Sequence, residues 1–392
     1  MAVMTCVDDL LDVASDVLSA RVGRTVDLLD AMQLESKSTV IRARVSSTGE
    51  DLPSTVIIKH VTDEEFDQPG HTGPPSRFLN EWSALEFLTD LDGEVAPRLI
   101  AADEGKGLTI VEDLGDLPTL ENLLSAGLES SAMDGLEVAG ELLGRLHAMS
   151  RDLEDEFAFI QSRLGTRSPL SDSTVDQRGR EDVFLAILHS LGIEPGKQFW
   201  DDLHGLESLI HDGSPFRSLI HADAGPHNVL VNAADSRLID FEFAVYGDVF
   251  SDAVGARLGF PQTMSVGQVP MRAVETLEAS YREAIAAGIP QAEDDALFGR
   301  HLTAACGHWA LNRWRAAWRD HPSAAPSREP PAEAVVRGSR SLWLVIDGFV
   351  AAVDEFGEFE ALADALCRFR ARATARWPEL EPAPVYPAFR NL

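Results

Sequence analysis

Three oxygen-bearing side chains, Asp223, Asn228 and Asp240, lie close together in the middle of the sequence. An amide oxygen beside a carboxylate is a hard-oxygen cradle of the kind that binds Mg²⁺ while phosphates complete the metal's shell. A further carboxylate nearby can orient an attacking hydroxyl group and accept its proton. Any one of these residues alone is more typical of a turn or a strand end, so the prediction of a phosphoryl-transfer site depends on the whole set.

Two short apolar runs, Val229–Val231 and Arg237–Ile239, position this set. The residues between them, Asn232–Ser236, are turn formers, and turn formers between apolar runs indicate a β-hairpin. If the hairpin is symmetric about its middle residue, Asn228 faces Asp240 at the open end. We therefore expect the amide and carboxylate oxygens to meet there, with the third side chain just upstream on a loop.

The segment from His221 to Glu242 resembles two motifs of one enzyme superfamily. His221-Ala222-Asp223 with Asn228 resembles H-x-D-x-x-x-x-N, and Ile239-Asp240-Phe241-Glu242 resembles I-D-[FW]-[ED]. Both are typical of the aminoglycoside phosphotransferase and choline kinase superfamily. The resemblance implies a two-lobed, protein-kinase-like fold in which Asp223 is the catalytic residue and His221 braces the loop. It also implies that Asn228 and Asp240 bind Mg²⁺, with Glu242 as a further candidate near the metals.

Two positions around these motifs are informative about the backbone. Ala222 stands where glycine is commoner, and alanine fits there unless the backbone requires a positive φ. Downstream, Gly247-Asp248 and Asp252 resemble the G-D…D continuation of the same superfamily, in which the second Asp caps a helix. We therefore expect a structural role for Asp252.

A kinase of this fold also needs a strand lysine that binds the α- and β-phosphates and a helix glutamate that positions it. Lys59 ends the apolar run Val56–Ile58, where a charge is costly without a partner. Glu81 lies on the helix face of Phe78 and Leu85, at spacings of three and four residues. We therefore predict that Lys59 pairs with Glu81; two unrelated surface charges are the alternative.

The remaining nucleotide contacts are predicted from less specific patterns. Ser36 and Ser38 fall between the first strands and could offer hydroxyl and backbone N–H donors to a phosphate, although an ordinary β-turn fits the same residues. Glu112 and Leu114 lie in a segment that resembles the hinge between kinase lobes, where backbone groups recognise the base. These residues do not distinguish ATP from GTP, so we expect Mg²⁺ with either nucleotide as the co-substrate.

The surrounding elements predict an α+β chain of two lobes. Alternating apolar residues predict strands at 38–45, 55–61, 98–101 and 108–112, and helical spacing predicts helices at 77–90, 131–149, 276–287, 301–319 and 342–376. Ser76 is a predicted N-cap, and the N-terminal segment has the pattern of an amphipathic helix. We expect a nucleotide-binding lobe over 1–112 and a catalytic and substrate-binding lobe over 113–392. The second lobe has an insertion at about 151–200, irregular and mobile over 151–182, and a flexible loop at about 321–334.

The chain has 392 residues, of which 64 are acidic and 33 are Lys or Arg, so its formal net charge is −31. Such a charge disfavours binding to nucleic acid or to an anionic membrane surface. It serves either to attract a cationic substrate or to keep the surface solvated. Three widely spaced cysteines argue against a disulfide framework, and the N-terminus lacks the basic start of a signal peptide, so we expect a cytoplasmic protein.

Together these patterns predict a Mg²⁺-dependent phosphotransferase that moves a nucleotide γ-phosphate to the hydroxyl group of a small molecule. The acceptor is less well specified, because Glu275 and Glu278 could attract an aminoglycoside or form a solvated helix face. Our first hypothesis is an aminoglycoside-like or other natural-product acceptor, and the second is a metabolic kinase of choline, a sugar or an amino acid. The third is a non-catalytic nucleotide-binding protein, against which the complete motif set argues. The sequence does not indicate an oligomeric state.

Overall fold

The computed structural model describes residues 7–34, 39–46, 52–61, 74–91, 93–168, 185, 188–211, 214–232, 235–263, 265–319, 332–378 and 382–390. The chain divides into two compact units. The first comprises Met1–Leu117, Leu153–Ser171 and Asn232–Val245, and the second comprises Pro118–Asp152, Asp172–Val231 and Tyr246–Leu392. The first unit thus extends beyond the predicted lobe 1–112 by two later segments, and the roles assigned to the lobes stay predictions.

An antiparallel sheet together with many helices confirms the predicted α+β class. The strands are β1 Leu28–Gln33, β2 Thr39–Val45, β3 Thr55–His60, β4 Leu99–Asp103, β5 Leu108–Glu112, β6 Arg217–Ile220, β7 Val229–Leu230, β8 Arg237–Leu238 and β9 Val245–Asp248. The helices are α1 Val7–Val22, α2 Pro74–Asp90, α3 Leu120–Ser125, α4 Glu129–Met149, α5 Glu154–Arg163, α6 Lys197–His211, α7 Phe250–Ala253, α8 Met271–Ala286, α9 Asp295–Arg319, α10 Ala332–Phe356 and α11 Glu360–Arg376.

The first unit is built on a sheet with the strand order β1-β2-β3-β5-β4. The predicted strands are confirmed as β2, β3, β4 and β5, with ends that differ by no more than two residues. The register of β3 and β5 pairs Ile58 with Ile110 and Lys59 with Thr109. Because successive side chains of a strand point to opposite faces, Ile58 and Lys59 lie on opposite faces of the sheet.

Helix α1 covers the face of the sheet that carries Ile58, as its amphipathic pattern predicts. The buried residues of this shared core include Leu10, Leu11, Ala14 and Leu18 of the helix and Ile41, Val56, Ile58 and Ile110 of the sheet. Burial of a large aliphatic side chain contributes roughly 1.5–3 kcal/mol. This core therefore fixes β3 and leaves the opposite face of that strand, with Lys59, for other contacts.

Helix α2 begins at Pro74, so the predicted N-cap at Ser76 is wrong. Proline is well suited to the first turn of a helix, because its missing N–H would have no partner there and its φ is already helical. The predicted apolar face is confirmed, since Phe78, Leu85 and Leu88 are all buried.

The segment predicted as an irregular insertion contains regular structure, which corrects that prediction in part. Helix α5 buries Phe157 and Ile160, and the Phe157 ring packs edge-on against Phe87 of α2 at 5.6 Å between ring centroids. Acidic residues fill its first turn, where they stabilise the helix dipole. Residues 169–184 lie outside the described residues.

The second unit is mainly helical, and its helices α4 and α8 pack closely against each other. A methyl group on Gly140 would lie 2.3 Å from the backbone oxygen of Leu277, and one on Gly144 would lie 2.6 Å from Ala284. Residues four apart lie on one helix face. The two glycines therefore let the two helix backbones approach each other more closely than larger side chains would allow.

The continuous helical pattern predicted over 342–376 is two helices, α10 and α11. Gly357 with φ 79° and Phe359 with φ 64° interrupt it, and a left-handed residue is a common end of a helix. Most of the predicted loop 321–334 lies outside the described residues, and α10 already begins at Ala332. In the described part of the chain, no helix combines the length and the apolar character needed to cross a membrane.

A buried ion pair links three elements of the second unit. Arg257, whose side chain is 1% exposed, donates to Glu278 through Nε at 2.8 Å and Nη2 at 2.7 Å, and to Glu355 through Nη1 at 2.9 Å. Glu278 therefore belongs to an internal ion pair and not to the solvated helix face that was one alternative for it.

Candidate functional site

The loop after β6 carries Asp223 and Asn228 in the second unit. Asn228 donates from Nδ2 to the backbone oxygen of Asp223 at 2.9 Å and to its Oδ2 at 3.4 Å. A 3₁₀ turn over Pro226–Asn228 brings the two ends of the loop together. His221 is buried, and its Nδ1 accepts the backbone N–H of Asp223 at 3.3 Å. The predicted catalytic carboxylate and one predicted metal ligand are thus adjacent.

The carboxylate of Asp252 holds this loop in place through two backbone hydrogen bonds. Its Oδ2 accepts the backbone N–H of His221 at 2.6 Å, and its Oδ1 accepts that of Ala222 at 2.9 Å. The sequence predicted that Asp252 caps a helix, and this detail is wrong. The carboxylate that accepts an N–H at the start of α7 is Asp248, which bonds the N–H of Phe250 at 3.0 Å.

A buried chain of hydrogen bonds extends from Asp252 to two long helices. His147 of α4 places Nε2 3.3 Å from Oδ2 of Asp252 and Nδ1 3.0 Å from the hydroxyl of Tyr281 on α8. With Nε2 donating to the carboxylate, Nδ1 is the acceptor for the tyrosine proton. Burial, together with Asp248 and Asp252, holds the pKa of Tyr281 well above its usual value, so it remains a donor. No sequence pattern predicted a role for Tyr281.

Ala222 has a φ of 63°, so the backbone requires the left-handed region at this position. Alanine was expected to fit only if the backbone did not require a positive φ, and this condition is not met. The preference for glycine in related motifs therefore has a physical reason. A left-handed alanine costs roughly 1–2 kcal/mol. The two N–H bonds to Asp252 hold the backbone in this shape.

Replacing Ala222 with glycine should raise the free energy of unfolding by up to about 1 kcal/mol, because relief of the left-handed backbone exceeds the entropy that glycine adds to the unfolded chain. Urea denaturation measures the change. Ala224→Gly is the matched control, since Ala224 has no positive φ and should lose roughly 0.5–1 kcal/mol. Equal losses for both variants would contradict this account.

The imidazole of His227 lies beside the carboxylate of Asp223. Its Nε2 is 3.8 Å from Oδ2 of Asp223, and a methyl group on Gly225 would lie 2.5 Å from the imidazole ring. Glycine is therefore required at 225 for close approach of the ring. This geometry supports the loop-packing role that the sequence favoured for His227.

Lys59 joins three segments of the first unit. Its Nζ lies 2.5 Å from Oε1 of Glu81 on α2 and 3.2 Å from Oδ1 of Asp240. The predicted pairing with Glu81 is confirmed, and the alternative of unrelated surface charges is wrong. Burial alone would lower the pKa of Lys59, but Glu81 and Asp240 more than offset it and hold this pKa above its usual value. Lys59 is therefore a permanent cation.

Asn80 fixes the segment that follows Asp240. It is buried on α2 next to Glu81, and its Nδ2 donates at 3.0 Å to the backbone oxygens of both Glu242 and Ala244. Its Oδ1 accepts from Gln161 of α5 at 2.8 Å. Asp240 itself has a φ of 71°, a region that aspartate tolerates better than most residues. No sequence pattern predicted a role for Asn80.

The Glu242 carboxyl group has a strongly altered acidity. Burial and the nearby charge of Asp240 raise its pKa to about 7, although Arg77, 3.4 Å away, acts in the opposite direction. Two neighbouring carboxylates repel each other's negative charge, and such a pair is a suitable donor set for a hard cation. This observation fits the predicted metal-binding role of Asp240, with Glu242 beside it.

Without metal, the raised pKa of Glu242 makes stability depend on pH. Between about pH 4.5 and 7 the folded chain holds a proton that the unfolded chain releases, so stability falls as pH rises, by roughly 1–3 kcal/mol in total. Glu242→Gln should remove this part of the slope. Denaturation curves at several pH values in EDTA test it, with Glu141→Gln on the exposed surface of α4 as the control. An unchanged slope in E242Q would disprove the assignment.

The other predicted site residues are placed as follows. Ser36 and Ser38 lie outside the described residues. Glu112 ends β5, and its Oε2 accepts the backbone N–H of Arg98 at 3.2 Å, while Leu114 is half-buried just beyond. Asn228 and Asp240 belong to different units, so their predicted facing across a hairpin stays a prediction.

Comparison with known proteins gives one family match. Residues 67–287 match the model of the phosphotransferase enzyme family. This range includes Glu81, Asp223, Asn228 and Asp240, whereas Lys59 precedes it. No curated protein matches the chain.

Several solved structures are similar to this chain. The choline kinase LicA from Streptococcus pneumoniae is 14% identical, with 86% of this chain and 98% of that chain covered and a TM-score of 0.43. APH(2″)-IIa, in its ternary complex with streptomycin and ATP, is 13% identical, with 81% and 95% covered and a TM-score of 0.46. The ethanolamine kinase of Plasmodium vivax is 12% identical, with 83% and 82% covered and a TM-score of 0.42.

Proposed function

Because the chain belongs to the phosphotransferase enzyme family, we propose that it transfers the γ-phosphoryl group of ATP or GTP to a hydroxyl group of a small molecule. The observation that carries the proposal is the Lys59 ammonium group, which bonds both Glu81 and Asp240. A strand lysine held by a helix glutamate is the arrangement with which kinases bind nucleotide phosphates. Ser36, Ser38, Glu112 and Leu114 belong to the same proposal as further nucleotide contacts.

Asp223 is the proposed catalytic residue. The acceptor oxygen forms a bond to the γ-phosphorus while the bond from that phosphorus to the β–γ bridging oxygen breaks, and the hydroxyl proton passes to the Asp223 carboxylate. The side chain is 27% exposed and therefore accessible to an acceptor, while its backbone is fixed through His221 and Asn228. Most of the acceleration in such a transfer comes from positioning and charge neutralisation.

The proposed ligands of Mg²⁺ are Asn228 and Asp240, with Glu242 as a further candidate. All three offer oxygen atoms, as Mg²⁺ prefers. The Nδ2 of Asn228 is used in the bond to Asp223, so its amide oxygen is the atom that can bind a cation. When bound with the nucleotide, the metal neutralises charge on the phosphates.

We propose an aminoglycoside-like natural product as the acceptor. The net charge of −31 supports a basic acceptor, because an anionic surface raises the local concentration of a polycation and speeds its association. The experiment is a screen for acceptor-dependent ADP or GDP release with aminoglycosides, sugars and choline, at low and high salt. At least one hydroxyl compound should be phosphorylated. Nucleotide binding without transfer to any of them would contradict the proposal.

Replacing Lys59 with methionine should lower kcat/KM for the nucleotide by about 10²-fold, the effect typical of removing one hydrogen-bond donor that stabilises charge in the transition state. The variant also leaves Glu81 and Asp240 without their shared cation. Steady-state kinetics over a range of nucleotide concentrations provide the measurement. Lys197→Met is the control, because Lys197 forms a surface pair with Asp201 and its side chain is 88% exposed. The role of Lys59 is excluded if K59M and K197M behave alike.

A further inference from the structure

Two side chains in the second unit have buried polar atoms with unused hydrogen-bonding capacity. Neither amide atom of Gln262 has a hydrogen-bond partner among the residues that the structure describes, and the hydroxyl of Tyr386 donates to none of them. A buried polar group that lacks a partner is destabilising, so native structures usually satisfy such groups or keep them for a ligand. Neither residue has a role in the phosphoryl-transfer chemistry proposed above.

Gln262 lies directly beside the loop that carries Asp223. A methyl group placed on Gly225, in the middle of that loop, would lie 3.5 Å from Cβ of Gln262. The next residue, Thr263, donates from Oγ1 to Glu121 on α3 at 2.6 Å. Thr119, which immediately precedes α3, forms an isolated β-bridge with Leu230, close to the other end of the loop.

Tyr386, in the C-terminal segment, packs against Phe260, two residues before Gln262. Its backbone N–H donates to the oxygen of Gln268 at 3.2 Å, and its ring packs against Phe260 at 6.3 Å between ring centroids. Burial and the charge of Glu121 raise the pKa of the Tyr386 hydroxyl, and the nearby backbone N–H of Gly267 only partly counters them. The phenol is therefore a donor that lies within electrostatic range of Glu121.

We propose that Gln262 and Tyr386 bind neighbouring hydroxyl groups of the acceptor and so select a polyhydroxylated ring as the substrate. This inference rests on the proposed function. A primary amide offers a donor and an acceptor side by side, which matches two adjacent hydroxyl groups, and the phenol adds a further donor. The carboxylate of Glu121 completes the set as an acceptor.

The same chemistry disfavours a quaternary ammonium compound as the acceptor. Such a headgroup has no N–H or O–H and cannot pair with either atom of the Gln262 amide. Binding it would leave the amide and the phenol buried and unpaired. A site built to bond a substrate hydroxyl discriminates strongly against an analogue that lacks it. Choline should therefore be a poor acceptor compared with a sugar or a cyclitol.

The test compares Gln262→Leu and Tyr386→Phe with the wild-type chain. The probes are streptomycin, myo-inositol, methyl glucoside with its deoxy analogues, and choline. For the best polyol, each variant should lower kcat/KM by at least about 10-fold, and Q262L should lose the preference for the diol over the deoxy analogue. Acceptor-independent nucleotide hydrolysis should stay within about 2-fold of wild type.

Thermal unfolding without acceptor separates a ligand-binding role from a structural one. If the groups await a ligand, their removal should leave Tm unchanged or raise it by about 2 °C, because an unpaired buried group is lost. Gln268→Leu is the matched control from the same loop. Its Nε2 already donates to the backbone oxygen of Ala383 at 2.7 Å, so Q268L should lower Tm and leave acceptor kinetics unchanged.

The outcomes distinguish this inference from the proposed function. Efficient phosphorylation of choline and of no polyol would overturn the inference and leave the phosphotransferase proposal intact, as would unaltered kinetics in Q262L and Y386F. A fall in Tm for both variants with unchanged diol preference would also overturn it. If the proposed function is wrong, nucleotide turnover should be the same in the wild type and in Asp223→Asn with every compound. The inference would then fail as well.

Discussion

Replacing Asp223 with asparagine is expected to lower kcat for phosphoryl transfer by about 10³-fold, with the KM for the nucleotide unchanged within about 3-fold. General acid–base catalysis by a positioned side chain contributes typically about 10²–10⁴ in rate. Asparagine preserves the size of the side chain and the backbone oxygen that accepts from Asn228, but its amide does not accept the hydroxyl proton. The measurement is single-turnover transfer with saturating nucleotide and acceptor.

His227 provides the contrast that makes this experiment decisive. The imidazole lies 3.8 Å from the Asp223 carboxylate and is an alternative base for the hydroxyl proton. If Asp223 is the base, His227→Asn should lower kcat by less than about 10-fold, because it only loosens the packing on Gly225. A large loss in H227N together with an active D223N would reverse the assignment.

Replacing Asp252 with alanine should lower both stability and turnover. The Asp252 side chain is 1% exposed and accepts the backbone N–H groups of His221 and Ala222. Leaving two such donors without an acceptor costs roughly 2–6 kcal/mol, at about 1–3 kcal/mol each. Without these bonds the left-handed backbone at Ala222 has nothing to hold it, so Asp223 moves from its position. We expect kcat per folded molecule to fall by about 10²-fold.

Asp202 is the matched control for this prediction. Its Oδ2 also accepts two backbone N–H groups, those of Ala361 at 2.9 Å and Leu362 at 3.0 Å, at the start of α11. Asp202→Ala therefore removes the same number of bonds at a place away from the catalytic loop. Chemical denaturation and kinetics at matched folded fractions should show that D202A loses stability only. Equal losses of turnover in D202A and D252A would show that Asp252 has no special effect on the loop.

The parts of the site that the sequence predicted depend on short-range patterns. Lys59 follows a β-branched apolar run and Glu81 lies on a helical face, so each charge could be recognised as needing a partner from its own neighbours. The strands β2, β3 and β5 were likewise visible from alternation and turn residues.

The parts that the sequence did not predict depend on contacts between distant segments. Asn80 bonds the backbone of residues 242 and 244, and no periodicity marks a residue that serves carbonyl groups far along the chain. Asp252 was expected as a helix cap because the motif around it resembles one in which the second Asp has that role, whereas its observed partners are backbone groups of another loop. The sequence marked Ala222 as a position where glycine is commoner, but alanine itself rarely signals a left-handed φ, so the φ of 63° was not predicted.

The chain of hydrogen bonds through Asp252 also determines when the catalytic loop can form during folding. His147 and Asp252 are 105 residues apart, and His147 and Tyr281 are 134 apart. Contacts across such long loops form late, because the entropy of loop closure must be overcome before any of them is gained. During refolding, helix content should therefore return before turnover. On a nascent chain, the complete chain of hydrogen bonds behind Asp223 can form only after the ribosome has released Tyr281.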